Sequence, residues 1–182
     1  SYNTQSSQLR LRGLQERYTK SMGENMNENI VIRKVEINDA SQIINLMKKL
    51  AIQTKFMLRE AHEVNENIED QENRIKDMLE DLKTLYIVAE VDCQIVGFLI
   101  SSSRNLERIK HVGDFIIGID EAFWEKGIGT RLMENLIDWA KEKQLKRLTL
   151  EVVESNSNAI KLYKKFGFEV EGLKVGDHYI GN

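Results

Sequence analysis

Two stretches carry residues whose types and spacing could do chemistry. The first runs from Ile117-Gly118-Ile119 through an acidic turn into Trp124-Glu125-Lys126-Gly127-Ile128-Gly129-Thr130, and then directly into an amphipathic pattern. A strand, a glycine turn and a helix start meet there. Glycine lets backbone approach a ligand closely, and first-turn amides together with the helix dipole favour an anion, so the chemistry implied is recognition of a phosphorylated ligand. The longer glycine spacing and Lys-Ser/Thr ending of a nucleotide-hydrolase phosphate loop are missing, and a helix start that uses glycine for geometry alone fits the fragment equally well. The second stretch is Leu150-Glu151-Val152-Val153-Glu154-Ser155-Asn156, followed by Asn158-Ala159-Ile160-Lys161-Leu162-Tyr163-Lys164-Lys165-Phe166-Gly167-Phe168, which brings carboxylates, an amide and a phenol close together in sequence.

Positioning these groups requires a regular scaffold. Interleaved apolar and charged residues predict a strand over Ile30 to Ile37. Asp39 as N-cap with Gln42 three residues on predicts a helix carrying Ala40, Ile43, Ile44, Met47, Leu50 and Ala51 on one face. A second helix fits Glu66 to Leu82, with Ile68, Ile75, Met78, Leu79 and Leu82 as its stripe. Leu85 to Val91 and Gln94 to Ser103 read as a hairpin turning at Asp92-Cys93, although such a turn prefers glycine where φ is positive. Further on come a strand over His111 to Ile119, a helix including Leu132 to Lys143, a strand over Arg147 to Val153, a short helix over Ala159 to Lys165 and a strand over Gly167 to Glu171. The order β-α-α-β-β-β-α-β-α-β implies a mixed α/β domain over residues 26–182. Residues 1–25 are polar, lack periodic apolar residues and read as a leader or disordered extension.

Composition narrows the function. With 182 residues the chain suits one domain. A formal charge of −3 and a pI near 5.7 argue against nucleic-acid binding. One cysteine, Cys93, excludes an internal disulfide and fits a cytoplasmic protein, and the longest near-apolar run, Phe115 to Ile119, is far short of the roughly 20 residues of a membrane span. His62, His111 and His178 have no metal-like spacing, so no metal is expected. The chain contains no proline.

Together the two stretches resemble the acetyl-CoA-binding core of the GNAT superfamily of N-acetyltransferases, over roughly Ile30 to Gly172. The Asn-x-x-Ala-x-x-Leu-Tyr-x-x-x-Gly-Phe string that starts at Asn156, combined with an upstream Gly-x-Gly, carries the resemblance, and its motifs are nearest to the ribosomal-protein alanine and small-amine branches. The resemblance implies a splayed sheet that admits the pantetheine arm of acetyl-CoA between two diverging strands. Ile117, Gly118 and Ile119 would pair with that arm, an amide near Ile117 would stabilise the developing oxyanion, and Asn156 would touch the pantetheine. Glu125, Lys126, Gly127, Ile128, Gly129 and Thr130 would hold the pyrophosphate. The superfamily usually has Gln or Arg at the position of Trp124 and Gly or Arg at Glu125, so Glu125 is expected to face outward with Lys126 offsetting its charge. The turn Asp120 to Phe123 often holds a proline in this superfamily and is expected to be looser here.

Acetyl transfer to an amine needs a base for the attacking ammonium and an acid for the departing thiolate. By the same resemblance Tyr163 is the general acid. Glu151 matches the position of the general base in the ribosomal-protein alanine branch, so the resemblance implies that role for it, with Glu154 and Glu90 as alternatives. Core packing of Tyr163 and an outward, solvated Glu151 are the competing structural readings. The acceptor is expected to be a small-molecule amine or a peptide amino terminus, with Phe56, Met57, Glu60 and Glu63 of the connector between the first two helices as pocket candidates. That acidic region would steer a cationic acceptor. The resemblance also allows a homodimer. The alternative function is a non-catalytic module that binds acyl-CoA as a sensor, which the departures at Trp124 and Glu125 keep open.

Overall fold

Residues 3–12, 29–53 and 60–179 are described by a computed structural model of the chain. Among the described residues seven strands form, all but the first from runs that include β-branched or aromatic residues: β1 (Asn3–Arg12), β2 (Ile30–Lys34), β3 (Thr84–Val91), β4 (Gln94–Ser103), β5 (Val112–Ile119), β6 (Arg147–Val153) and β7 (Glu169–Tyr179). They form one sheet in the order β2-β3-β4-β5-β6-β1-β7, antiparallel everywhere except between β5 and β6. Four helices complete the mixed α/β fold: α1 (Ala40–Gln53), α2 (Ile68–Glu80), α3 (Ile128–Glu142) and α4 (Ser157–Lys165). From Ile30 onward the element order is the predicted one.

Helices divide between the two faces. On one face α3 and α4 pack Leu132, Met133, Leu136, Ile137, Tyr163 and Phe166 against Ile87, Leu99 and Phe115. On the other, Leu50 and Ile43 of α1 and Ile75 of α2 pack against Tyr86, Val88 and Phe98. Burying a large apolar side chain contributes roughly 1.5–3 kcal/mol, so α3, with Leu132, Met133, Leu136 and Ile137 all at 2% exposure or less, is firmly anchored behind its N-terminus. The α2 stripe is narrower than its spacing predicts. Ile75 is fully buried, whereas Ile68 and Leu79 are exposed and Leu82 lies beyond the end of the helix.

Two differences from the sequence reading have local physical causes. Asn3 to Arg12, read as part of a leader or disordered extension, form β1 in the interior of the sheet, between β6 and β7. Its Leu9 and Leu11 are buried on the α3 and α4 face, an alternation only two apolar residues long. Asp39 does not cap α1 with Gln42. It closes a short 3-10 turn over Ile37–Asp39 reciprocally with Glu36, while the Gln42 side chain accepts the Ile95 N–H at 2.9 Å and so holds the β3–β4 hairpin. That hairpin turns at Asp92 and Cys93 as expected, both left-handed at φ +49° and +65°. Among the described residues no helix is long and apolar enough to cross a membrane.

Candidate active site

The parallel pairing of β5 with β6 is brief. It registers Val112 with Arg147, Gly113 with Leu148 and Asp114 with Thr149, and then stops. β5 continues to Ile119 and β6 to Val153 without pairing, so the second half of β5 has backbone groups with no strand partner on its β6 side. A cleft of about 910 Å³ opens at the divergence. Leu50 and Phe98 line it from the α1 face, and Leu162 and Tyr163 from the α4 face, so the cleft passes through the sheet.

At the carboxyl end of β5 the chain enters a pinned turn. Asp120 is 2% exposed and accepts from Ala122 N–H at 3.1 Å, from Gln53 Nε2 at 2.9 Å and from Lys49 Nζ. Burial alone would raise its pKa, but these three donors outweigh burial and hold the carboxyl below its usual range. The turn expected to be loose for want of proline is thus tied to α1 by a buried carboxylate. Trp124 closes it from the other side, donating its indole N–H to the Ile119 carbonyl at 2.9 Å. Glu125 is exposed and left-handed at φ +61°, and Lys126 Nζ sits 4.9 Å over the Phe123 ring.

The two glycines that follow do different work. Gly127 is the N-cap of α3 at φ +82°, a conformation costly for other residues. Gly129 lies inside the first turn, where a Cβ would stand 2.9 Å from Leu162 Cδ2, so its lack of a side chain lets α3 touch α4. The first-turn amides of Ile128, Gly129 and Thr130 have no helical carbonyl behind them and border the cleft. Gly118 serves packing as well: a Cβ there would lie 2.7 Å from Leu50 Cδ1 and 2.8 Å from Phe98 Cε1.

Across the cleft, Asn156 caps α4 by accepting Ala159 N–H at 3.2 Å, and Gly167 ends the helix at φ +84°. Tyr163 is 5% exposed, edge-on to Phe115 at 5.9 Å and tilted against Phe168 at 6.0 Å. Burial pushes its hydroxyl pKa well above the ordinary phenol value, so it stays protonated and able to donate. Glu151 lies on the cleft wall of β6, opposite Gln8 of β1, and its Oε1 accepts from Lys174 Nζ.

Every predicted cofactor residue except Lys126 lines the cleft, as do Tyr163 and Glu151. The alternative bases do not. Glu90 is paired with Arg33 at 2.8 Å, and Glu154 is exposed away from the wall. The acceptor candidates fare worse. Phe56 and Met57 lie outside the described residues. Glu60 and Glu63 cap a short turn over Ala61–Glu63 reciprocally, with Glu63 Oε2 accepting Glu60 N–H at 2.9 Å, and neither lines the cleft. Residues that do line it and were not singled out are Ser6, Gln8, Arg74, Arg104 and Asp114. They come from β1, α2, β5 and the loop after β4, so no local spacing marks them. Among the described residues no group of three His, Cys, Asp or Glu side chains is arranged to hold a metal.

The model of the acetyltransferase (GNAT) family matches residues 51–168, which contain the splay, the glycine turn and the α4 motif. The chain belongs to the GNAT acetyltransferase family. Among its relatives, the L-amino acid N-acetyltransferase AaaT of Escherichia coli K12 is 37% identical over 87 residues, covering 47% of this chain and 54% of AaaT. A spermine/spermidine N(1)-acetyltransferase of Bacillus subtilis is 40% identical over 55 residues, covering 30% of this chain and 36% of the relative. The chain spans roughly half the length of the curated relatives it matches. A GNAT acetyltransferase structure from Streptococcus pneumoniae superposes with a TM-score of 0.74 at 27% identity, covering 79% of this chain and 87% of that one. The PaiA N-acetyltransferase of Thermoplasma acidophilum, solved in complex with coenzyme A, shares the fold at a TM-score of 0.64 and 22% identity, covering 79% of this chain and 91% of the other.

Proposed function

We propose that this GNAT chain transfers an acetyl group from acetyl-CoA to a primary amine of a small metabolite or a peptide amino terminus. The observation that carries the reading is a cleft through the sheet that joins amide donors at the start of α3 to a buried phenol on one side and a strand carboxylate on the other. The residues fit a CoA thioester. The amides of Ile128 to Thr130 suit a pyrophosphate, the unpaired second half of β5 suits the amide-bearing pantetheine arm, and the gap beside Phe115 and Tyr163 would receive the thioester.

In this mechanism Glu151 accepts a proton from the acceptor ammonium, and the freed amine attacks the thioester carbonyl. A carbon–nitrogen bond forms as the carbon–sulfur bond breaks, Tyr163 gives its proton to the leaving sulfur, and the excess proton on the new amide nitrogen returns to the tyrosinate. Burial keeps the Tyr163 phenol protonated before transfer but makes it a weaker acid, so its proton has to move as the carbon–sulfur bond breaks, with a base ready to take the proton released from the amine. Small amines are acceptors for relatives named L-amino acid and spermine/spermidine acetyltransferases, which supports a small primary amine here. The test is acetyl-CoA consumption over a panel of amines and peptides, with Tyr163→Phe and Glu151→Gln beside the parent. Turnover lost in both variants with CoA binding kept supports the assigned roles, and full turnover in either removes that residue from the chemistry. Tight CoA binding with no turnover of any amine would instead favour a sensor.

A further inference from the structure

The cleft has a closed end. Along β5 its wall runs from Asp114 to Ile119 and along β6 from Thr149 to Val153, so it stops at the last registered pair of the two strands, Asp114 with Thr149. Side chains fasten that pair. The hydroxyl of Thr149, a residue 5% exposed, donates to Asp114 Oδ1. The Arg104 guanidinium donates to both Asp114 carboxylate oxygens, at 3.1 and 3.2 Å, and the buried Ser101 hydroxyl donates to the Asp114 carbonyl at 3.0 Å. Behind the pair the sheet is filled: a Cβ at Gly113 would stand 2.9 Å from Leu145 Cδ1 and 3.1 Å from Leu148 Cδ2.

We propose that this fastened pair limits the length of the acyl group the protein accepts on CoA, with Thr149 as the specificity-determining residue. The proposal rests on acetyl-CoA lying along β5 with its pyrophosphate at α3. The first turn of α3 follows the carboxyl end of β5, so the arm enters at Ile119 and points its thioester back toward Asp114. A thioester between Phe115 and Ile117 stands one to three residues from the pair, about 3–10 Å along the strand. Over that distance the gap narrows to the roughly 4.8 Å of paired strands, where no acyl chain fits. An acetyl group ends within the taper. Each further methylene is driven against the closed end or turned onto the open sheet face, where the acceptor amine must approach. Without the Thr149 hydrogen bond the side-chain tie across β5 and β6 is gone, so the strands can part further toward Gly113 and admit a longer chain.

The test is kcat/KM for acetyl-, propionyl- and butyryl-CoA with one amine that the parent turns over, in the parent, Thr149→Val and Thr149→Ser, beside calorimetric affinities for the three thioesters. The parent is expected to favour each thioester over the next longer one by about tenfold or more. In Thr149→Val, which keeps the volume and loses the donor, the acetyl-to-butyryl ratio falls by about tenfold, and Thr149→Ser keeps most of it. A parent that uses butyryl-CoA as well as acetyl-CoA overturns the proposal without any variant. A Thr149→Val ratio equal to the parent's overturns it too, because lost stability alone lowers all three thioesters together. Failure of the underlying reading looks different. Turnover of no amine removes acetyl transfer itself, and the affinities then decide: a preference for acetyl-CoA over butyryl-CoA that shrinks in Thr149→Val supports the closed end, and equal affinities overturn it. No binding of any thioester overturns both.

Discussion

The two mouths of the cleft are built by different means. On the α3 and α4 side the groups offered to a ligand are backbone amides, set by Gly127 at φ +82° and by a close approach at Gly129. On the open sheet face they are side chains in ion pairs, Arg104 with Asp114 and Lys174 with Glu151, delivered by strands and a loop that meet only in the folded sheet. Backbone recognition of this kind depends on a few adjacent residues and suits a ligand part shared by a whole family. Side-chain recognition depends on which residues the sheet happens to bring together, and suits the part that differs among relatives.

The largest expected effect separates chemistry from binding. Tyr163→Phe should lower kcat by roughly 10²–10⁴ while CoA affinity, measured by calorimetry, stays at the parent value; an equal loss of both would mean that the phenol serves binding. Next come the glycines. Gly129→Val drives atoms into Leu162 and should cost about 1–3 kcal/mol of stability with weaker CoA binding, whereas Gly127→Ala has no neighbour within 4 Å and should cost about 1–2 kcal/mol from left-handed strain alone. Thermal unfolding with and without CoA compares the two.

A smaller effect is expected at the buried tie between α1 and the cofactor turn. Asp120→Asn should cost about 1–2 kcal/mol and weaken CoA binding without changing acceptor preference, measured by urea unfolding and steady-state kinetics. The smallest is a pH effect. Asp39 is 6% exposed; burial alone would raise its pKa, but Arg33 and the Glu36 N–H hold it below the ordinary value of 3.8, and Asp120 is held low as well. A carboxylate depressed in the folded state stabilises it above the unfolded pKa, so this contribution is full above about pH 4 and is lost as pH falls through the lower folded values. Urea midpoints taken downward from neutral pH should fall in that acid window, and Asp120→Asn should flatten part of the fall.

The contrast between the two mouths also explains what could be read from the sequence. The α3 and α4 side of the cleft was legible because its determinants are contiguous: Ile117 to Thr130 and Asn156 to Phe168 each hold their own turn, cap and helix start. Strand and helix order from Ile30 followed from ordinary periodicity. β1 was not legible, since only Leu9 and Leu11 of its residues are buried apolar groups and its polar face looks like a solvated tail. The polar residues on the open sheet face escaped notice for a related reason. A dense acidic run at Glu60 to Asp81 draws attention in a linear sequence, yet Glu60 and Glu63 are used up in capping a turn. Gln8, Arg104, Asp114 and Lys174, scattered over the chain, have neighbours that only the sheet supplies.

Amide hydrogen exchange with and without saturating CoA tests the division most directly. Protection is expected at residues 117–130 and 156–163, with residues 5–10 and 170–174 exchanging as in the free protein. Protection centred on residues 5–10 and 170–174, or none at 127–130, would contradict a cofactor held by the glycine turn and an acceptor face left open beside it.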